Sequence, residues 1–172
     1  GGRIATAIQS ARYAAYDLAS VVAVALSRGR PSGWRVQVLL TESGCRRPWA
    51  EVLGAVIAGG ADAIQVREKH LEPTALVDRV RAVIEIARPA GIPVVVNDRA
   101  DVAVAAAADG VHLGQDDLPV EAARRVVGGL ALIGGSAHDL DEARRNHEAG
   151  CDYCGMGRFA ASTTKPHLVP GR

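Results

Sequence analysis

Gln65, Arg67 and Lys69 occupy alternate positions in the stretch AIQVREKH, residues 63–70. In a strand that spacing puts all three on one face, with Ile64 and Val66 turned the other way. A guanidinium and an ammonium side by side can hold a polyphosphate, the first by bidentate hydrogen bonds and the second as a point charge. The plainer alternative is a salt-bridged rim that Glu68 helps to neutralise. Two further stretches carry oxygen ligands. PVVVNDR is apolar until Asn97 and Asp98, and DGVHLGQDDL ends in Gln115, Asp116 and Asp117. Mg²⁺ typically takes one or two protein carboxylates and completes its shell with phosphate and water. Asp98 and Asp117 suit that role, although a lone Asp at such a position is often a helix cap, and Asp116 or Asp117 could cap a helix starting near Pro119. Two carboxylates beside a basic pair favour a phosphate-bridging metal.

These residues need a scaffold that brings several strand ends together. From residue 35 onward the pattern alternates strand and helix. RVQVLL, ADAIQVR, IPVVVND, DGVHLG, LALIGGS and CDYCGMG read as strands, and the segments between them as helices closed by Gly or Pro. Such alternation predicts a parallel sheet with helical crossovers. A doubly wound sheet lacks its GxGxxG after the first strand, whereas a (β/α)₈ TIM barrel explains polar residues at the end of nearly every strand, because barrel chemistry sits at that mouth. About six β/α units are present, and complete barrels need ~200 residues or more. The expectation is therefore an incomplete α/β barrel over 35–172 that lacks strands 7 and 8. Its strand edges would be exposed unless a homo-oligomer, another partner or more chain covers them. Ahead of it, residues 1–30 show apolar positions at helical spacing, including Ile4, Ile8, Leu18 and Leu26, and residues 31–34 read as a linker.

Composition narrows the function classes. The chain has 172 residues, 48% hydrophobic and 23% charged, with a net charge of +1. That balance supports a real core and gives no general attraction to nucleic acid or to an anionic membrane. Cys45, Cys151 and Cys154 are too few for a disulfide framework and favour a cytoplasmic setting. Neither a signal peptide nor an apolar run of ~20 residues is evident.

In order and spacing, QVREK, VNDRADVA, DGVHLGQDDLP, GGSAH and CDYCGMGRFAASTTKP resemble the thiamine phosphate synthase family over roughly residues 36–168. The resemblance implies a barrel enzyme that joins 4-amino-2-methyl-5-hydroxymethylpyrimidine diphosphate to a thiazole phosphate, giving thiamine phosphate and pyrophosphate. It implies that Gln65, Arg67, Lys69, Asn97, Ser136 and Lys165 contact the pyrimidine diphosphate. Ser162 and Thr164 would lie near the thiazole phosphate, and Asp98 and Asp117 would hold Mg²⁺. Arg67, Lys69, Ser136 and Lys165 become the candidate catalytic groups, acting by charge and orientation without a protein nucleophile. Arg158 and Ala161 stand where the family usually has prolines. The 1–30 segment looks like the tail of an extension found on longer members.

Two rival readings stay open: a thiazole tautomerase-like isomerase on the same barrel, and a non-catalytic phosphate-binding fragment. A tautomerase would have no use for QVREK, ND and QDD. His138 matches a histidine position of the tautomerases but does not discriminate. Other features have structural readings. CDYC has redox or zinc spacing, but in a strand its two cysteines would face opposite sides. His112 reads as a packed barrel residue, and His70 and His147 as exposed. Arg124, Arg125, Arg144 and Arg145 read as solvated helix faces.

Overall fold

Short, mostly apolar runs bounded by Gly, Pro and Asp set the strands, and amphipathic segments between them set the helices. The computed structural model describes residues 31–157. The 1–30 segment, Arg158, Ala161, Ser162, Thr164 and Lys165 lie outside the described residues. Six strands run β1 (Gln37–Leu40), β2 (Ala63–Val66), β3 (Val94–Asn97), β4 (Gly110–Leu113), β5 (Leu132–Ala137) and β6 (Tyr153–Met156). Between them lie α1 (Trp49–Ala58), α2 (Pro73–Ala87), α3 (Ala100–Ala105), α4 (Val120–Val127) and α5 (Leu140–Glu148). Pro73 opens α2 at a position where its missing N–H costs nothing. The 3₁₀ turn Arg88–Ala90 and Gly91, at φ 70°, then end that segment. Asp139 caps α5 by accepting from the Glu142 N–H.

All neighbouring strands are parallel and the sheet order follows the sequence, β1 to β6. The sheet curls. In a flat sheet β1 and β6 would stand about 24 Å apart, yet Gln37 on β1 donates to the Tyr153 hydroxyl on β6 at 3.1 Å. Trp34, just after the 3₁₀ turn Pro31–Gly33, packs edge-on against Tyr153 at 5.2 Å. This is the predicted barrel architecture, with six parallel strands and the five helices between them forming a half-barrel among the described residues.

Strand alternation divides the side chains into two sets. Ile64, Val66, Val94, Val96, Val111, Leu113 and Ile133 face outward and join Leu53, Leu76, Val80 and Val83 of the helices in the main hydrophobic core. Each such fully buried side chain contributes roughly 1.5–3 kcal/mol, so stability resides mainly in this sheet–helix layer. The other set faces the barrel interior, where buried Ala63, Val95 and Leu132 accompany one polar side chain from each strand. Among the described residues β1 and β6 are the sheet edges, and Leu39 on β1 is 56% exposed. No helix among the described residues is long and apolar enough to cross a membrane.

Two expectations need correction. Cys151 lies in the turn before β6, so the strand alternation does not apply to it. Cys151 and Cys154 both lie toward the helical layer, one beside Gly135 and the other donating weakly to the Ala143 carbonyl at 3.8 Å. Both are free, and burial pushes the Cys151 thiol up to about 11, which opposes a redox role. Arg124 is not a solvated face residue. It donates to the carbonyls of Gly128, Ala131 and Gly150 and pairs with Asp152 at 3.1 Å, fastening the end of α4 to the start of β6.

Candidate active site

The interior face carries one polar side chain from every strand. Asn97 (β3) accepts from Gln65 (β2) at 2.7 Å, and Gln65 accepts in turn from Gln37 (β1) at 3.2 Å. Gln37 also donates to Tyr153 (β6), whose hydroxyl lies 3.2 Å from His112 Nδ1 (β4), and His112 Nε2 lies 3.1 Å from the Ser136 hydroxyl (β5). Gln65, Asn97 and Ser136 were expected here from sequence. Gln37 and Tyr153 were not, and His112, expected only to be packed, links Tyr153 to Ser136. The available signal was a lone polar residue in each apolar strand, VQVLL and AIQV being near copies. Gln65 is only 3% exposed, so its amide needs these partners. Burial pushes the Tyr153 phenol well above its usual range, keeping it a neutral donor. Gly134 makes room for the pair: a Cβ there would lie 2.2 Å from Tyr153 Cζ and 2.5 Å from His112 Nδ1.

Above this ring, at the C-terminal strand ends, the groups become charged. β2 ends at Val66, so Arg67 and Lys69 stand in the loop beyond it, not on the strand face that their spacing suggested. Arg67 is half-buried and Lys69 exposed. With Thr41, Ser43 and His70 they line an open cavity of about 340 Å³ between the loops after β1 and β2. Thr41 Oγ1 donates to the Arg67 carbonyl at 2.8 Å, fastening one loop to the other. Glu68 does not neutralise this pair as the salt-bridged-rim reading required. Its carboxylate pairs with Arg79 on α2 at 3.2 Å and accepts the Glu42 N–H at 2.6 Å.

Asp98 follows β3 at φ 66°, a left-handed conformation that Asp tolerates better than most residues, and its N–H bonds to the His112 carbonyl at 2.8 Å. Asp117 does not cap α4, whose start at Pro119 has no side-chain cap. Instead its carboxylate turns back to accept the Gly114 N–H at 2.6 Å. The two carboxyls meet there. Burial first, then the hydrogen bond and charge of Asp117, hold the Asp98 carboxyl above the ordinary range, opposed by Lys69 and Arg67. Lys69 Nζ lies 3.9 Å from Asp98 Oδ2.

Two hard oxygen donors that repel each other suit a divalent cation, which would relieve that repulsion. Among the described residues no third His, Cys, Asp or Glu joins them, so water or phosphate would complete the shell, as is usual for Mg²⁺. Asp116 and Gln115 are exposed, and Gln115 donates to the Ser136 carbonyl. His138 pairs with Glu142 at 3.0 Å, while His70 and His147 are exposed as expected.

Comparison with known proteins identifies the family and fold. The profile described as "Thiamine monophosphate synthase" matches residues 37–171. A thiamine-phosphate synthase of Chloroflexus aurantiacus is 46% identical over 135 residues, covering 77% of this chain and 62% of its own length. One from Moorella thermoacetica is 45% identical over 128 residues, covering 74% of this chain and 61% of its own. The solved structure of thiamine phosphate pyrophosphorylase from Pyrococcus furiosus superposes with a TM-score of 0.68 at 30% identity, over 78% of this chain and 65% of that one. The chain thus spans about three fifths of the length of the curated relatives it matches. With the profile match extending from β1 past the end of β6, the chain belongs to the thiamine monophosphate synthase family.

Proposed function

We propose that this chain forms the pyrimidine diphosphate half of a thiamine phosphate synthase active site, a transferase that joins the pyrimidine to thiazole phosphate and releases pyrophosphate. One observation carries the reading: Arg67 and Lys69 stand at the same strand ends as the paired carboxylates Asp98 and Asp117, above a hydrogen-bonded polar ring. In this reading Arg67 and Lys69 hold the diphosphate, together with Lys165. Their positive charge stabilises the negative charge that develops on the leaving group as the C–O bond breaks.

Asp98 and Asp117 would hold Mg²⁺, which when bound supplies further charge stabilisation on the phosphate oxygens. Gln65, Asn97 and Ser136 present amide and hydroxyl groups suited to an aminopyrimidine, and the low accessibility of Gln65 keeps water away from that edge. Ser162 and Thr164 are assigned to the thiazole phosphate. Orientation of the two substrates does the remaining work, so no protein nucleophile is required. A tautomerase would leave the Asp98–Asp117 pair and the basic pair without a task.

The test is calorimetric titration of the folded chain with hydroxymethylpyrimidine diphosphate, with and without Mg²⁺. Binding that depends on Mg²⁺ is expected. Absence of binding, both by the folded chain and by a version extended to the relatives' full length, would sink the reading.

A further inference from the structure

Glu68 lies between the two cations of the site in sequence and shares their cavity wall, yet its carboxylate pairs with Arg79 and the Glu42 N–H. On the opposite side of the loop Arg79, from α2, reaches Glu68 Oε1 with Nη1 at 3.2 Å and Glu42 Oε2 with Nη2 at 2.8 Å. The guanidinium lies over the Trp49 ring of α1 at 4.6 Å from its centroid. Arg79 and Glu68 side chains are 14% and 10% exposed, so this pair is screened less than a surface ion pair. Glu42 and Glu68 belong to the two loops that wall the 340 Å³ cavity. Arg79 therefore fastens those loops to each other and to α2.

We infer that Arg79 is a positioning residue that holds Glu68 against the helical layer and so keeps Glu68 from neutralising Arg67 and Lys69 at the cavity. The inference rests on the diphosphate reading above. Without Arg79, Glu68 keeps only the Glu42 N–H as a partner, and the cations that flank it in the loop are Arg67 and Lys69. Pairing with either would cancel one positive charge where an anion has to bind. Lysine cannot replace Arg79 fully, because one ammonium cannot present a planar fork to two carboxylates.

The experiment is calorimetric titration with inorganic pyrophosphate and Mg²⁺ of the unaltered chain, Arg79→Gln, Arg79→Gln/Glu68→Gln and Glu68→Gln, each shown to be folded by circular dichroism. Arg79→Gln is expected to weaken binding about tenfold. Adding Glu68→Gln should restore affinity to within about twofold of the unaltered chain, an outcome that a merely structural role for Arg79 would not give. Unchanged affinity in Arg79→Gln, or no recovery in the double variant, overturns the inference. Should Arg79→Gln fail to fold, Glu68→Gln alone decides. Affinity near that of the unaltered chain supports the inference, and binding tightened about fivefold or more would mean that Glu68 already neutralises the cations. If neither the unaltered chain nor its version extended to the relatives' full length binds pyrophosphate, the diphosphate reading fails and this inference with it, whereas failure of the inference alone shows only in the variants.

Discussion

Aspartates at the two ends of this half-barrel serve opposite ends. At the N-terminal side Asp62, Asp109 and Asp152 precede β2, β4 and β6, and each makes the same two-point clasp at the start of the preceding strand or on the residue just before it. The Asp N–H donates to the carbonyl of Val36, Val94 or Ile133, and the Asp carboxylate accepts that same residue's N–H, at 2.9, 2.8 and 2.8 Å. At the C-terminal side Asp98 and Asp117 converge on each other, and backbone donors do not compensate the pair fully. The contrast appears in the protons: two backbone N–H groups hold the Asp62 carboxyl below its ordinary range, whereas burial and Asp117 hold Asp98 above it. One end of the sheet uses carboxylates to satisfy the backbone. The other leaves their charge available for a ligand, consistent with the division between stability and chemistry usual in such barrels.

The largest effect expected from breaking this contrast is at Asp98. Asp98→Ala should lower Mg²⁺-dependent binding of the pyrimidine diphosphate, and turnover in a chain of the relatives' length, by about a hundredfold or more, with the fold retained. Unchanged turnover at saturating substrate would remove Asp98 from the metal site. Asp109→Ala should do the reverse. Asp109 is 2% exposed, and its loss leaves the Val94 N–H buried without its acceptor, at a cost of about 2–3 kcal/mol in urea unfolding. Mg²⁺ affinity of the folded fraction should be unchanged, and a loss of affinity matching that at Asp98 would erase the distinction between the two ends. Gly134→Ala, midway between them, should cost about 1–3 kcal/mol by overpacking and should displace the His112–Tyr153 pair. A crystal structure of that variant with the pair unmoved would show that the interior has slack which the close approach denies.

How much of this was legible depended on whether a residue acts through its type or through its partner. The strand–helix alternation and the barrel could be read directly, because apolar periodicity is a local signal, whereas the strand-face spacing of Arg67 and Lys69 misled, since β2 ends at Val66. Arg79 could not be read. It reads as an ordinary polar position in an amphipathic helix, and its role exists only because α2 packs behind the β2 loop. Arg124 escaped for the same reason, since the carbonyls it fastens come from residues 128–150. The three clasps were visible in principle: ADA, ADG and CDY each place an Asp immediately before a strand. Their repetition becomes informative only once every second junction is seen to use the same geometry. The resemblance also assigned roles to Ser162, Thr164 and Lys165, which lie outside the described residues, so the thiazole side rests on sequence alone.

The smallest effects are in the acid limb of stability, and here the sign separates the two ends. Asp62 has a lowered pKa in the folded chain, so its contribution is present above the unfolded value, about 4, and is lost as the pH falls through the lower folded value. Asp62→Asn should therefore make the acid limb of urea-unfolding stability shallower. Asp98 has a raised folded pKa, so in the metal-free chain its contribution is present below the unfolded value and is lost as the pH rises through the folded one. Asp98→Asn should thus make the metal-free chain more stable near neutral pH while weakening Mg²⁺ binding. Opposite shifts in the two variants would establish that identical side chains are held in different charge environments at the two ends. Parallel shifts would mean that the Asp98–Asp117 carboxyls are compensated like the clasps, and that Mg²⁺ gains nothing from relieving them.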